Sequence, residues 1–283
     1  MAHQHPLRFG IKLSGQDTTI GDLREFWRIA DEAGFDHVWV FDHLNSIGDV
    51  GQEQPIFESW ALQAAIAQAT QRVRIGSLVT GNTYRHPALL AKIATTVDHL
   101  SGGRLEFGIG AAWATFEHET LGIDGLDHRV GRLSEALQVI RSLWTEKRTT
   151  FDGRYYKLKD AIANPKPVQS PHPPIWIGAS GDQTLRLVAR HADVWNASGG
   201  SPERVKELSE RLDGCCAAIG RDPSEIRRSV QLRWDAKDRS SLLEMVGTYV
   251  GLGMSEIVVY APGHDGPRVA DAVAEALPEL RAL

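Results

Sequence analysis

Two patterns take turns along the chain: short, mostly apolar runs, and longer stretches with apolar positions at helical spacing. Leu7 to Leu13 alternates apolar with small or polar residues and predicts a first strand. A helix follows, capped by Thr18 or Thr19 and stopped by Gly34. His37-Val38-Trp39-Val40-Phe41-Asp42-His43 then predicts a buried strand that ends abruptly in a carboxylate and an imidazole. Further strands are expected over Val73–Val79, Arg104–Gly110, Pro174–Gly178, Asp193–Asn196, Arg228–Arg233 and Glu256–Tyr260. Between and after them the pattern predicts helices over Phe57–Thr70, from Pro87 to the Gly102-Gly103 pair, and over Arg129–Trp144 and Asp182–His191. Three more follow over 202–219, Leu242–Leu252 and 267–281.

Three segments break the rhythm. Residues 44–56 form a polar, glycine-bearing loop, too long to be a mere connection. The stretch from the fourth strand to about residue 126 is read as another loop. Residues 148–173 begin as a small hairpin over Thr149–Tyr156 and continue as a proline-studded stretch from Pro165 to Pro174. They are an insertion, too short to hold a core of their own.

Strands that alternate with helices argue for parallel βαβ units, and eight such units close into an α/β (β/α)8 TIM barrel. At 283 residues the chain suits one domain over 1–283 with the short insertion around 148–173. A doubly wound open sheet is the alternative. It would carry a glycine-rich turn after the first strand, where this chain reads Lys12-Leu13-Ser14-Gly15-Gln16.

Composition narrows the partners. A net charge of −5 argues against non-specific binding to nucleic acid or to anionic membranes. No apolar run approaches the ~18 residues of a membrane span. The start, Met1 to Pro6, lacks the pattern of a signal peptide. The two cysteines, Cys215 and Cys216, are neighbours, and adjacent cysteines rarely pair, so a reduced, cytoplasmic protein is expected.

In a barrel, catalytic side chains sit at the C-terminal tips of the strands. Those tips here are mostly apolar or aromatic with a few polar groups, which suits a large planar ligand. Gly-x-Ser-x-Gly, His-x-x-x-His and Cys-x-x-Cys are all absent, so neither a serine nucleophile nor a metal is expected. The chemistry should come from a bound cofactor. Asp42-His43 is either a capping or ion pair at a loop start, or a general acid or base at the mouth; its place at a strand tip favours the second. Gly108-Ile109-Gly110-Ala111-Ala112-Trp113 lets a ring approach the backbone, with Trp113 either stacked on that ring or part of the core. Gly178-Ala179-Ser180-Gly181-Asp182-Gln183-Thr184 is either a phosphate cradle at a helix start or a plain tight turn.

Taken together, these stretches resemble the bacterial-luciferase-like flavin and deazaflavin superfamily. The matching runs are Val38–His43, Gly76–Pro87 (GSLVTGNTYRHP), Gly108–Gly122 (GIGAAWATFEHETLG), Phe151–Tyr156 with Asn164–Pro167, and Ile175–Asn196. Within it they look like the coenzyme F-420 (F420)-dependent oxidoreductase branch. The resemblance implies a deazaflavin ring in the mouth, partly covered by the insertion. Asp42 and His43 would contact the ring region, with His43 as acid/base or substrate anchor. A non-proline cis peptide would fall near Leu78-Val79, backing the ring with Thr80 close by; Gly110, Ala111 and Trp113 would border it. Gly178, Ala179, Ser180 and Gly181, with Thr184 beside them, would bind the phosphate. Some relatives place a catalytic glutamate after the fourth strand, where this chain has Trp113, so glutamate-assisted proton transfer is not expected. The implied activity is hydride transfer between the cofactor C5 and a small organic substrate. The alternatives on the same scaffold are an FMN-dependent monooxygenase and a non-catalytic binding barrel. Arg85, Arg129 and Arg233 are candidates for the anionic cofactor tail, and a homodimer is implied by the family.

Overall fold

The computed structural model describes residues 5–48 and 51–283. Residues 49 and 50, inside the loop expected over 44–56, and the first four residues lie outside that description. Among the described residues, eight parallel strands close into a barrel: β1 (Arg8–Leu13), β2 (His37–Val40), β3 (Arg74–Ser77), β5 (Leu105–Gly110), β8 (Ile175–Gly178), β9 (Val194–Ala197), β10 (Arg227–Arg233) and β11 (Glu256–Ala261). The short β4 (Thr80–Gly81) resumes the third barrel strand beyond Leu78 and Val79. Neighbours run β3-β2-β1-β11-β10-β9-β8-β5, and pairing of β3 with β5 closes the ring. The helices lie between and after the strands: α1 (Ile20–Glu32), α2 (Ser59–Ala69), α3 (Pro87–Leu100), α4 (Thr115–Leu121), α5 (Arg129–Thr145), α6 (Asp182–His191), α7 (Pro202–Ala217), α8 (Arg239–Gly251) and α9 (Gly266–Leu280). None of the described helices is long and apolar enough to cross a membrane.

Strand parity explains why the ring closes with a cavity at one end. Successive side chains point to opposite faces of a strand. On β1, Phe9, Ile11 and Leu13 join the large core between the sheet and the helices, while Arg8, Gly10 and Lys12 take the opposite parity. On β2, Val38 and Val40 join that core. Trp39 instead packs inside the ring with Trp176, Leu78, Val194 and Val258. The Trp39 and Trp176 rings meet edge to face at 4.6 Å. Gly76 makes room for this plug, since a Cβ there would lie 2.3 Å from Cζ3 of Trp39. Packed aromatics thus fill the barrel's waist, as layered side chains do in this architecture.

Below the plug lies a belt of paired charges. His37 Nε2 donates to Glu256 at 2.7 Å, and Trp39 Nε1 donates to His37 Nδ1 at 2.7 Å. Glu256 also holds Arg227, and Glu106 holds Arg74 and the Trp176 indole. Burial pushes the Glu256 carboxyl up, but His37 and Arg227 outweigh it and leave the group below its usual range. Fully buried carboxylates survive here because each is paired and hydrogen-bonded.

Local signals carry through. Thr19 caps α1, accepting from the Asp22 amide at 3.1 Å. Three features differ from the sequence expectation. The presumed loop before residue 126 contains α4. The hairpin is longer, pairing β6 (Thr149–Asp152) with β7 (Lys157–Ala161). The insertion also does not cover the mouth: none of residues 148–173 lines the cavity described below. It packs on the outer wall, where Glu135 accepts the backbone amides of Arg154, Tyr155 and Tyr156. Its later part is tied to α3 by Asp98, which accepts the amides of Val168 and Gln169.

Candidate active site

The strand tips open into one cavity of about 1090 Å³. His43 and the bend from Gly178 to Thr184 both line it, as do Leu78, Val79, Gly110, Ala111 and Trp113. Most of the predicted positions therefore meet in one place, although they come from four different strand ends.

β2 stops at Val40, so Phe41, Asp42 and His43 extend beyond the strand. The imidazole sits between two aromatic edges, 5.0 Å from the Phe41 ring and 5.3 Å from Trp113. Trp113 is 60% exposed, which rules out a core role and leaves its face available over the cavity. Behind His43 stands Glu117 of α4, a residue the sequence reading missed. Glu117 Oε2 lies 3.0 Å from His43 Nδ1 and also accepts from the Tyr84 hydroxyl. Its Oε1 accepts the amides of Leu44 and Asn45 at 2.7 and 2.9 Å. Burial pushes this carboxyl up, but the bonds from His43, the Asn45 amide and Tyr84 outweigh it and bring it down to about 2. An ionised carboxylate only accepts, so Nδ1 must carry the imidazole proton. Nε2 has no protein partner among the described residues, and it is the free nitrogen of a ring that lines the cavity. A glutamate does stand after the fourth barrel strand, four positions beyond Trp113. The absence inferred from Trp113 is thereby corrected: Glu117 touches the imidazole rather than the cavity.

Asp42 is held differently. Its carboxylate accepts from Thr80 Oγ1 at 2.6 Å, from both Arg85 nitrogens at 2.6 and 3.0 Å, and from the Gly81 amide at 3.3 Å. These bonds fix the loop, and Asp42 itself lines the cavity. Thr80 is fully buried between Asp42 and the Trp60 indole and does not line the cavity, which corrects its assignment to ligand binding. Arg85 is likewise spent, on Asp42 and Glu58, and is withdrawn as a cation for an anionic tail. Arg129 and Arg233 do line the cavity.

The Leu78-Val79 bond is cis, where the resemblance implied it. Val79 bulges against β5 and β8. A Cβ on Gly108 would lie 1.9 Å from the Ser77 carbonyl oxygen, and one on Gly110 would lie 2.6 Å from Val79 Cγ2. Glycine is needed there so that the bulge can stand against the strands. Just after β8, Gly181 is the N-cap of α6 and has no side chain to cap with. The first-turn amides of Asp182, Gln183 and Thr184 therefore lack a side-chain cap, and these residues line the cavity. Free amides at a helix start favour an anion.

Lys12, also missed, reaches the cavity from β1. Its Nζ donates to the Leu78 carbonyl at 3.0 Å and to Gln231 Oε1 at 2.6 Å. The rings of Phe41 and Tyr260 lie 5.5 and 5.3 Å from it. Burial pulls the ammonium down to about 7.

A broad cavity, an apolar bulge on one wall, an uncapped helix start and two lining arginines suit a flat heterocycle with an anionic tail. Residues 4–261 match the model of the luciferase-like monooxygenase family. The chain belongs to that family. Its relatives include proteins named F420-dependent glucose-6-phosphate dehydrogenase. The one from Microbacterium testaceum is 35% identical over 233 residues, 81% of this chain and 68% of the relative. The one from Nakamurella multipartita is 30% identical over 336 aligned positions, covering 98% of both chains. That alignment is longer than the chain itself, so the relative carries segments this luciferase-like protein lacks. A solved F420-dependent secondary alcohol dehydrogenase, in complex with an F420-acetone adduct, superposes with a TM-score of 0.86 at 20% identity, covering 98% and 99% of the two chains. At that identity the likeness speaks for the barrel alone.

Proposed function

We propose that this luciferase-like protein is an F420-dependent oxidoreductase that moves hydride between the cofactor C5 and the carbinol or carbonyl carbon of a small organic substrate. One observation carries the reading: an imidazole with a fixed tautomer and an uncapped helix start line the same cavity. The relatives' names support the choice of cofactor.

Bound F420 supplies a two-electron acceptor or donor at C5. The chain's own residues do the rest. Nε2 of His43, with Nδ1–H held on Glu117, accepts the hydroxyl proton of a bound alcohol while its carbon gives up hydride; in reverse, Nε2–H protonates the carbonyl oxygen. Leu78, Val79, Gly110, Ala111 and Trp113 line the cavity and would border the ring. Gly178, Ala179, Ser180 and Gly181, with the amides of the α6 first turn, take the phosphate, and Arg129 and Arg233 draw the anionic tail. A cytoplasmic homodimer belongs to the same proposal, and sedimentation reads its oligomeric state.

The test is to follow reduced F420 by absorbance against a panel of enones, ketones and imines, and oxidised F420 against alcohols. Turnover that disappears in His43→Ala supports the assignment. Oxygen consumption with reduced FMN, and none of the F420 reactions, would replace it with the monooxygenase reading. Binding of F420 without any turnover would leave a storage barrel.

A further inference from the structure

Among the described residues, Lys12 is the one buried lysine of the cavity wall, and the proton chemistry above leaves it unused. It faces no carboxylate within ion-pairing distance among the described residues. From β2 come the Phe41 ring and, beyond it, Asp42, already neutralised by Arg85. From β11 comes Tyr260; from β10 the neutral Gln231, with Arg233 two positions on. The segment after β3 offers only the Leu78 carbonyl. An ammonium has three donors. Two are used, and the third has no partner among the described residues on a side chain that lines the cavity. Gln231 is itself fixed, donating to Asn196 Oδ1 at 2.7 Å, while Asn196 donates to Ser229 at 3.0 Å. The chain of amides anchors the lysine so that its remaining N–H cannot turn away. A buried cation without a counter-ion is costly to keep, so the arrangement is that of a site waiting for negative charge.

We propose that Lys12 is the counter-charge for the reduced ring, a positioning cation that distinguishes the reduced cofactor from the oxidised one. The proposal rests on the function above and adds the residue that sets its redox bias. When a substrate alcohol is oxidised, its carbon loses hydride and His43 takes the hydroxyl proton. The ring has then gained two electrons and one proton, hence one negative charge. Lys12 is bonded to the carbonyl of Leu78, next to the Val79 bulge, and offers its third N–H to that charge. Burial lowers its pKa to about 7 in the free enzyme, and a negative charge beside it raises that value again and holds the ammonium form.

Dissociation constants for oxidised and reduced F420, measured by fluorescence and by anaerobic titration, test this in wild-type, Lys12→Met and Lys12→Gln proteins. The variants should lose affinity for the reduced form by roughly 10- to 100-fold more than for the oxidised form, as expected for a charge-assisted hydrogen bond. Equal losses for both forms would show a merely structural lysine and overturn the proposal. Wild-type protein that binds neither form would overturn the F420 reading itself. Should both variants fail to fold, wild-type protein labelled with ¹³Cε-lysine carries the test. At mildly alkaline pH, reduced F420 should move the lysine resonance of lowest pKa, that of Lys12, to the ammonium position, and oxidised F420 should not. The same shift with both forms would contradict it.

Discussion

Glu117→Gln tests the least expected contact in the site. The carboxylate accepts from His43, Tyr84 and two loop amides with no exposure to solvent. Burial alone would raise its pKa, yet the partners bring it from an ordinary 4.5 to about 2. At 1.36 kcal/mol per pH unit, the folded state favours the ionised group by about 3 kcal/mol. The folded pKa lies below the unfolded one, so this stability is fully present above about pH 4.5. It is lost as pH falls toward about 2. Glutamine keeps one acceptor for the loop amides but turns an NH2 toward His43 or Tyr84. An NH2 facing Nδ1 forces the proton to Nε2, the wrong tautomer for taking a proton from an alcohol. The variant should lose about 2–3 kcal/mol in urea denaturation at neutral pH. Its kcat for alcohol oxidation should fall about 10²- to 10³-fold, with KM changed far less. Combined with His43→Ala, the losses in kcat should be strongly non-additive. A variant that unfolds more easily but keeps the wild-type kcat and pH profile would mean that Glu117 only ties down the loop.

Three further outcomes follow from the same contacts. Gly108→Ala places a methyl 1.9 Å from the Ser77 carbonyl oxygen and should cost more than about 3 kcal/mol in denaturant unfolding; an unchanged midpoint would show that the bulge can shift freely. Arg85→Ala strips a buried carboxylate of its charged partner and should destabilise by about 3–5 kcal/mol, so a loss under about 1 kcal/mol would mean that Thr80 and the Gly81 amide suffice for Asp42. Trp113→Ala removes an exposed ring and should leave the melting temperature nearly unchanged while raising the cofactor Kd about tenfold; unaltered binding would remove Trp113 from the ring's surroundings.

The barrel was readable because its outward positions are strongly apolar. Val38, Val40, Ile175 and Ile177 need the helices, and their spacing says so. The glycine bend after β8 was readable for a similar reason: small residues directly before a helix leave few alternatives. Glu117 was not. It lies on the seven-residue α4, which has no amphipathic stripe, and its partner His43 is 74 positions away. Without coordinates it was one acidic residue of a polar loop. Lys12 did leave a trace, since it shares the parity of Arg8 and Gly10 on a strand whose other face is wholly apolar. In a closed ring that parity points inward, toward the cavity. Arg85 and Thr80 were misassigned because a sequence shows which groups are near the mouth but not which have already found partners.

Equilibrium titration of the purified protein with F420 and, separately, with FMN, followed by fluorescence, puts the whole account to its hardest test. Saturable binding of F420 with Kd of ~1–10 μM, weakened at least tenfold when Arg233 is changed to alanine and by added salt, is the expected result. Saturable binding of FMN with no response to F420 would contradict it.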